Sequence, residues 1–106
     1  MPSTFSNERA MKAAILRLLR SNGIVCWSAA AGPYSTSGIP DILGAMPGGR
    51  LLAIEVKMPG KKPTKLQAAR LADLVAAGAN AWWTDNIEDV KNWIETWQQV
   101  TEMRLE

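Results

Sequence analysis

The stretch Gly38–Lys57, GIPDILGAMPGGRLLAIEVK, decides the fold. Pro47-Gly48-Gly49 breaks two apolar runs with a turn sequence: proline presets the first central position and glycine accepts the conformation that follows. Asp41 to Met46 and Arg50 to Lys57 read as strands, so residues 41–57 form a hairpin. In the second arm, Ala53-Ile54-Glu55-Val56-Lys57 alternates apolar and charged residues. Side chains two apart on a strand share a face, so Ile54 and Val56 turn to the core while Glu55 and Lys57 face away together. The hairpin brings Asp41, at the start of one arm, back beside Glu55, near the end of the other.

Working outward, Ser6 is read as an N-cap with Glu8 in the first turn of a helix, where a carboxylate suits the helix dipole. Ala10, Ala13, Ala14, Ile15, Leu18 and Leu19 supply its apolar stripe, and Asn22-Gly23 ends it. Ile24 to Ser28 is a short strand. Residues 29–40 read as a loop, given Gly32-Pro33, Ser35, Ser37-Gly38 and Pro40. After the hairpin comes a basic turn, MPGKKP, at 58–63. Thr64 then caps a helix with Gln67 as its capping-box partner, running through Leu66, Ala69, Leu71, Leu74 and Val75 to Gly78. Ala79 to Thr84 is a fourth strand. Asp85 is read as the cap of a last helix, with Glu88 completing a capping box and Ile87, Val90, Trp93, Ile94 and Trp97 on one face. The order α-β-β-β-α-β-α gives a mixed sheet with helices packed on it, an α/β sandwich, with a helical crossover to a parallel last strand.

Two carboxylates held a few ångströms apart repel, and one pKa rises unless a positive charge lies between them. A divalent cation removes that cost, and an all-oxygen pair suits magnesium or manganese. Lys57 stands on the same face, where a lysine can orient a water or stabilise charge developing on a phosphate. Each element also has a plain reading. Asp41 after Pro40 is ordinary turn chemistry, and Glu55 with Lys57 is an ordinary solvated strand face with a weak ion pair. The combination of Pro40-Asp41, a hairpin of suitable length, a basic turn and a Thr/Gln-capped helix favours the site.

That combination resembles the PD-(D/E)XK nuclease superfamily, and within it the VRR-NUC family of virus-type replication-repair nucleases. Gly38-Ile39-Pro40-Asp41 matches a G-x-P-D signature. Glu55-Val56-Lys57 matches the E-x-K strand, Gln67 the helix glutamine, and Glu8 the glutamate of the first helix. The resemblance covers roughly residues 6 to 97. It implies a restriction-endonuclease-like α-β-β-β-α-β core with a mixed central sheet flanked by helices, plus a C-terminal helix. It implies metal ligation by Asp41, Glu55 and the backbone carbonyl of Val56, with Glu8 reaching the metal from the first helix. Lys57 would act on the attacking water, and Gln67 would hold Lys57 or the scissile phosphate. For Gln67 the residues themselves leave a choice between this site and the Thr64 capping box, with only one expected at a time. The implied cofactor is Mg2+ or Mn2+.

The implied activity is endonucleolytic hydrolysis of DNA, leaving a 5′-phosphate and a 3′-hydroxyl. By analogy with single-domain members, it would be selective for branched or Holliday-junction-like DNA, in a DNA-repair or phage setting. A catalytically silent nucleic-acid-binding module, a sequence-specific restriction-type nuclease and a small structural or assembly protein are the alternatives.

Charge distribution fits an anionic partner. The net charge is only +2, yet residues 1–70 carry ten Lys/Arg against three Asp/Glu, while residues 71–106 carry two against seven. Lys61, Lys62 and Lys65 cluster after Lys57 and are candidates for phosphate contact without base reading. Arg9, Lys12, Arg17 and Arg20 spread around the first helix, and the sequence does not choose among them. Tyr34 is a candidate for stacking on a base, or else a loop anchor. The chain has 106 residues, 47% of them hydrophobic, which suits a single domain with its core at about 6–98. One cysteine, Cys26, and no histidine exclude an internal disulfide, a Cys/His zinc site and any His-based triad. No apolar run is long enough to cross a membrane. A reduced, cytoplasmic setting, in a bacterial or phage-infected cell, is expected. Five tryptophans are many for this length. Trp82 and Trp83, adjacent on a strand, must face opposite ways. Covering the outer one, and cutting two strands of a branch, suggest a homodimer.

Overall fold

The computed structural model describes residues 5–29 and 37–105, with side chains as far as residue 98. Its elements run in chain order as α1 (Glu8–Ser21), β1 (Val25–Ser28), β2 (Ile42–Ala45), β3 (Leu51–Val56), α2 (Lys65–Ala76), β4 (Asn80–Thr84) and α3 (Ile87–Leu105). This is the expected α-β-β-β-α-β-α order. The strands lie in the order β1-β2-β3-β4, with β1-β2 and β2-β3 antiparallel and β3-β4 parallel. The hairpin closes through the Gly49 N–H donating to the Met46 carbonyl (2.8 Å) and the Met46 N–H donating to Arg50 (2.8 Å). Gly48 sits at φ +93°, the left-handed conformation that a proline-led turn of this kind demands.

Pairing register sets the two faces of the sheet. Cys26, Ile42, Leu52, Ile54 and Val56 fall on one face and join a single core with Met11, Ile15, Leu16 and Leu19 of α1 and Ile87, Val90 and Ile94 of α3. Trp82, Trp93 and Trp97 pack against this core, with Trp82 and Trp93 rings 5.8 Å apart and Trp93 stacked on Trp97 at 6.3 Å. The apolar stripe of α1 differs from the expected one. Met11 and Leu16 are buried, whereas Ala10, Ala13, Ala14 and Leu18 are only half-buried. The longer side chains turn the helix so that they, rather than the alanines, fill the interior.

The opposite face is covered by α2, and only in part. Ala53 and Glu55 are buried beneath it, yet Leu71 is the one buried residue of that helix. Leu66 and Val75, expected along its apolar stripe, are exposed. Trp83 points outward on β4, 40% exposed, opposite in sense to Trp82, as adjacent strand residues must be. Trp27, 48% exposed, and Val25 lie on the uncovered part of the same face.

Two caps lie one residue further along the chain than expected. Asn7, not Ser6, starts α1: its Oδ1 accepts the Ala10 N–H at 2.8 Å. Asn86, not Asp85, starts α3, accepting the Glu88 N–H at 3.0 Å. The Thr84 hydroxyl accepts the Asn86 N–H (3.0 Å), which fixes the chain there, and Glu88 pairs with Lys91 rather than closing a capping box. The edge strand β1 is partly closed by Arg20, whose guanidinium donates twice to the Cys26 carbonyl (3.1 and 3.0 Å). Among the described residues no helix is long and apolar enough to cross a membrane.

Candidate active site

Pro40 and Asp41 occupy the point where the hairpin ladder stops. Pro40 is buried and has no N–H to offer a neighbouring strand. The carbonyl of its successor Asp41 accepts the Ala29 N–H at 2.8 Å. The Asp41 side chain then replaces the missing rung: Oδ2 accepts the Val56 N–H at 2.9 Å. The β2-β3 register pairs Ile42 with Ile54, so one further step sets Asp41 opposite Glu55. Gly38 holds this segment against α2. Its φ is +80°, and a Cβ there would lie 2.9 Å from Leu66 Cγ and 3.0 Å from Arg70 Cγ. Arg70 adds a bond from its Nε to the Ser37 carbonyl (3.3 Å).

Glu55 is 2% exposed. Its Oε1 accepts from Gln67 Nε2 at 3.2 Å and lies 3.6 Å from Lys57 Nζ. Its Oε2 is buried with no hydrogen-bond partner. Burial raises the Glu55 pKa most, followed by Asp41, whose carboxylate favours the protonated form of Glu55 as an acceptor for its proton and repels the ionised form, in which Oε2 has no partner. Lys57 pulls the other way, Glu8 adds a further push, and the carboxyl is carried up from 4.5 to about 7. Glu8, in the first turn of α1, makes itself felt at Glu55 only through its charge, and among the described residues no three acidic, cysteine or histidine side chains gather closely enough to hold a metal together. The direct oxygen pair is Asp41 and Glu55, as two Asp/Glu carboxylates at the end of one hairpin.

Gln67 closes the Thr64 capping box and also reaches the acid pair, bonding Glu55 where the expected partner was Lys57 or a phosphate. Its Oε1 accepts the Thr64 N–H (2.9 Å) and its own N–H donates to Thr64 Oγ1 (3.1 Å), completing the capping box. Its Nε2, the other end of the same amide, reaches Glu55. The expectation that only one role operates at a time is corrected: an amide has a donor and an acceptor, and each partner takes one.

One residue that the sequence did not single out joins the site. Lys12 Nζ is 3.9 Å from Asp41 Oδ1, the oxygen not engaged by Val56. Lys12 lies four residues after Glu8, and that spacing was the available signal. Lys61, Lys62 and Lys65 are exposed on the turn and first residue leading into α2. Tyr34 lies outside the described residues.

The arrangement is an acid pair, one member buried and the other partly exposed, flanked by two lysines and a glutamine at one end of a mixed sheet. The backbone of the chain as a whole matches a solved structure described as "VRR_NUC domain", with a TM-score of 0.71 at 24% identity, over 83% of this chain and 94% of that one. The chain therefore has the VRR-NUC fold, and the resemblance read from the sequence holds in its architecture. In sequence, 41 residues are 46% identical to "Putative nuclease p44" of Acyrthosiphon pisum secondary endosymbiont phage 1. That match covers 39% of this chain and 44% of the phage protein's length. No family model matches the chain.

Proposed function

We propose that this chain is a divalent-metal-dependent DNA endonuclease that hydrolyses phosphodiester bonds to leave a 5′-phosphate and a 3′-hydroxyl. The observation that carries the reading is Glu55 Oε2, an oxygen buried without a hydrogen-bond partner beside a second carboxylate. A buried oxygen left unsatisfied costs about 1–3 kcal/mol, so a fold that retains one beside Asp41 is suited to a cation. The donor set of Glu55 Oε2 and Asp41 Oδ1 is hard oxygen, which fits Mg2+ or Mn2+. The Val56 carbonyl is proposed as a third ligand and Glu8 as an outer one. The VRR-NUC fold and the phage relative, which is named as a nuclease, support the same reading.

A metal held there would polarise the phosphodiester and lower the pKa of a bound water. The chain's own residues do the rest. Lys57 orients the attacking water and balances charge growing on the phosphate. Gln67 fixes Glu55 Oε1, so that Oε2 is the oxygen left for the cation. Lys61, Lys62 and Lys65 hold flanking phosphates without reading bases. We take branched DNA as the substrate and a homodimer as the acting form. Exposed Trp27, Val25 and Trp83 support the second point, since they leave apolar surface for a partner copy.

The test is cleavage of labelled duplex, flap, splayed and four-way junction DNA with Mg2+, with Mn2+ and with chelator. Metal-dependent cutting, lost in Asp41→Asn by a hundredfold or more on the order of one metal ligand's contribution, is expected. No cutting of any substrate, or equal cutting by Asp41→Asn, would sink the reading. Gel filtration at high concentration tests the dimer.

A further inference from the structure

The lysine on Asp41 is out of place in a simple metal site. Met11, Ile15 and Leu19 bind α1 to the core and so fix its rotation. With that rotation set, Glu8 and Lys12, four residues apart, lie along the flank that borders the acid pair. Lys12 Nζ stands 3.9 Å from Asp41 Oδ1, and the two side chains are 25% and 21% exposed. An ion pair this long and this wet adds little to stability, typically about 0–1 kcal/mol. It does bear on what else can approach Asp41. Oδ2 is committed to the Val56 N–H, so Oδ1 is the oxygen through which this residue would meet a cation. The Lys12 ammonium stands nearest that oxygen at ion-pair distance, while Lys57 stands 3.6 Å from Glu55 Oε1.

We propose that Lys12 is a resident counter-ion of the acid pair that a divalent cation displaces from Asp41, and that the freed lysine then takes a phosphate of the bound strand. The proposal rests on the metal-dependent reading of Asp41 and Glu55. Two cations cannot share Oδ1 without strong repulsion, so metal and lysine compete for it. Lysine suits such an exchange, because its charge rides on a flexible four-carbon stem and needs no fixed geometry. Metal binding and DNA binding are thereby linked: the site gains a phosphate-binding charge only when a cation has arrived. Lys12 is a positioning and binding residue in this scheme, and no covalent step passes through it.

The test is calorimetric titration of the DNA-free protein with Mg2+ and with Mn2+, comparing the parent with Lys12→Gln, Lys12→Arg and Lys91→Gln. Lys91 lies on α3 in an ion pair with Glu88, so its replacement makes the same charge change away from the acid pair. Lys12→Gln is expected to bind the divalent ion about tenfold more tightly, as removal of a unit charge some ångströms from a divalent ion requires. Lys12→Arg and Lys91→Gln are expected to stay within about twofold of the parent. DNA binding is then followed against salt, with Ca2+ in place of Mg2+ and separately in chelator. With Ca2+, the log–log salt slope of Lys12→Gln falls by about one, the share of a single phosphate contact; in chelator it matches the parent. Metal binding by the parent with unchanged affinity in Lys12→Gln overturns the role of Lys12 alone, and so does an equal gain in Lys91→Gln. Absence of metal binding in the parent and every variant overturns the metal site and this proposal with it.

Discussion

The two faces of the sheet are built differently. Against one face, α1 and α3 bury an unbroken set of apolar side chains, with Ile15, Leu19, Ile42, Leu52, Ile54 and Val56 all out of reach of water. Against the other, α2 buries only Leu71 and leaves Leu66 and Val75 exposed. Polar contacts position α2 there: the Thr64 capping box, the Gln67 bond to Glu55 and the Arg70 bond to Ser37. The first face supplies folding energy. The second spends some of it, because it keeps a carboxyl group with an unpartnered oxygen in a buried position. β3 carries both roles in alternation, Ile54 and Val56 toward the core and Glu55 toward α2.

Substitutions should separate the faces most sharply where the core is deepest. Ile54→Ala is expected to lose about 3–4 kcal/mol in chemical denaturation, from lost transfer energy and the cavity left behind. Leu71→Ala, under the thinner layer, should lose about half as much. Equal losses would mean that α2 caps a second full core, and the contrast would fail.

Glu55→Gln should act in the opposite direction. The Glu55 pKa is raised on folding, so the folded protein holds this proton more tightly than the unfolded chain. The group's contribution is therefore best at low pH. It is lost as pH rises from about 4.5, the unfolded value, through about 7, the folded one. Metal-free Glu55→Gln should be more stable than the parent at pH 8 by on the order of 2 kcal/mol, and the gap should close toward pH 4. Added Mg2+ should stabilise the parent but not the variant. A parent that gains stability over the variant as pH rises in chelator would break this account of Glu55.

Gln67 gives a finer division. Gln67→Ala removes the return bond of the capping box and the donor to Glu55, and should cost about 1–2 kcal/mol. Gln67→Glu keeps an acceptor for the Thr64 N–H but sets a carboxylate against Glu55. Its deficit should grow above neutral pH, where that of Gln67→Ala should not, as thermal melts across pH would reveal. The smallest stability effects belong to the basic turn. Lys61→Gln and Lys62→Gln should stay within about 0.5 kcal/mol of the parent. Each should lower the salt slope of DNA binding by about one if it holds a phosphate.

How far the sequence could be read follows the same division. The hairpin was legible because Pro47-Gly48-Gly49 and the alternation at 53–57 leave few other conformations. Element order, the parallel last strand and the opposed senses of Trp82 and Trp83 followed from short-range rules of pairing and pleat. The helix caps slipped by one residue at Ser6-Asn7 and Asp85-Asn86, where neighbours are both good caps. Only the local backbone, held at Asn86 by the Thr84 hydroxyl, decides between them. The charged residues around Asp41 were partly legible. Glu55 and Lys57 share a strand face by parity, whereas Lys12 reaches Asp41 only once Met11 and Leu16 have set the roll of α1. The burial of Glu55 was not legible at all. An alternating strand face reads as solvated, and the helix that covers it enters through the Gln67 amide rather than through an apolar stripe.

The central claim, that the second face holds a carboxyl kept ready for a cation, is tested most directly by following the Glu55 carboxyl itself. Its titration by nuclear magnetic resonance, in chelator and then with Mg2+, reads the group without reference to cleavage. The account predicts a midpoint of about 7 in chelator and a fall below the ordinary carboxylate range when the metal is present. A midpoint near 4.5 in chelator that Mg2+ leaves unmoved would contradict it.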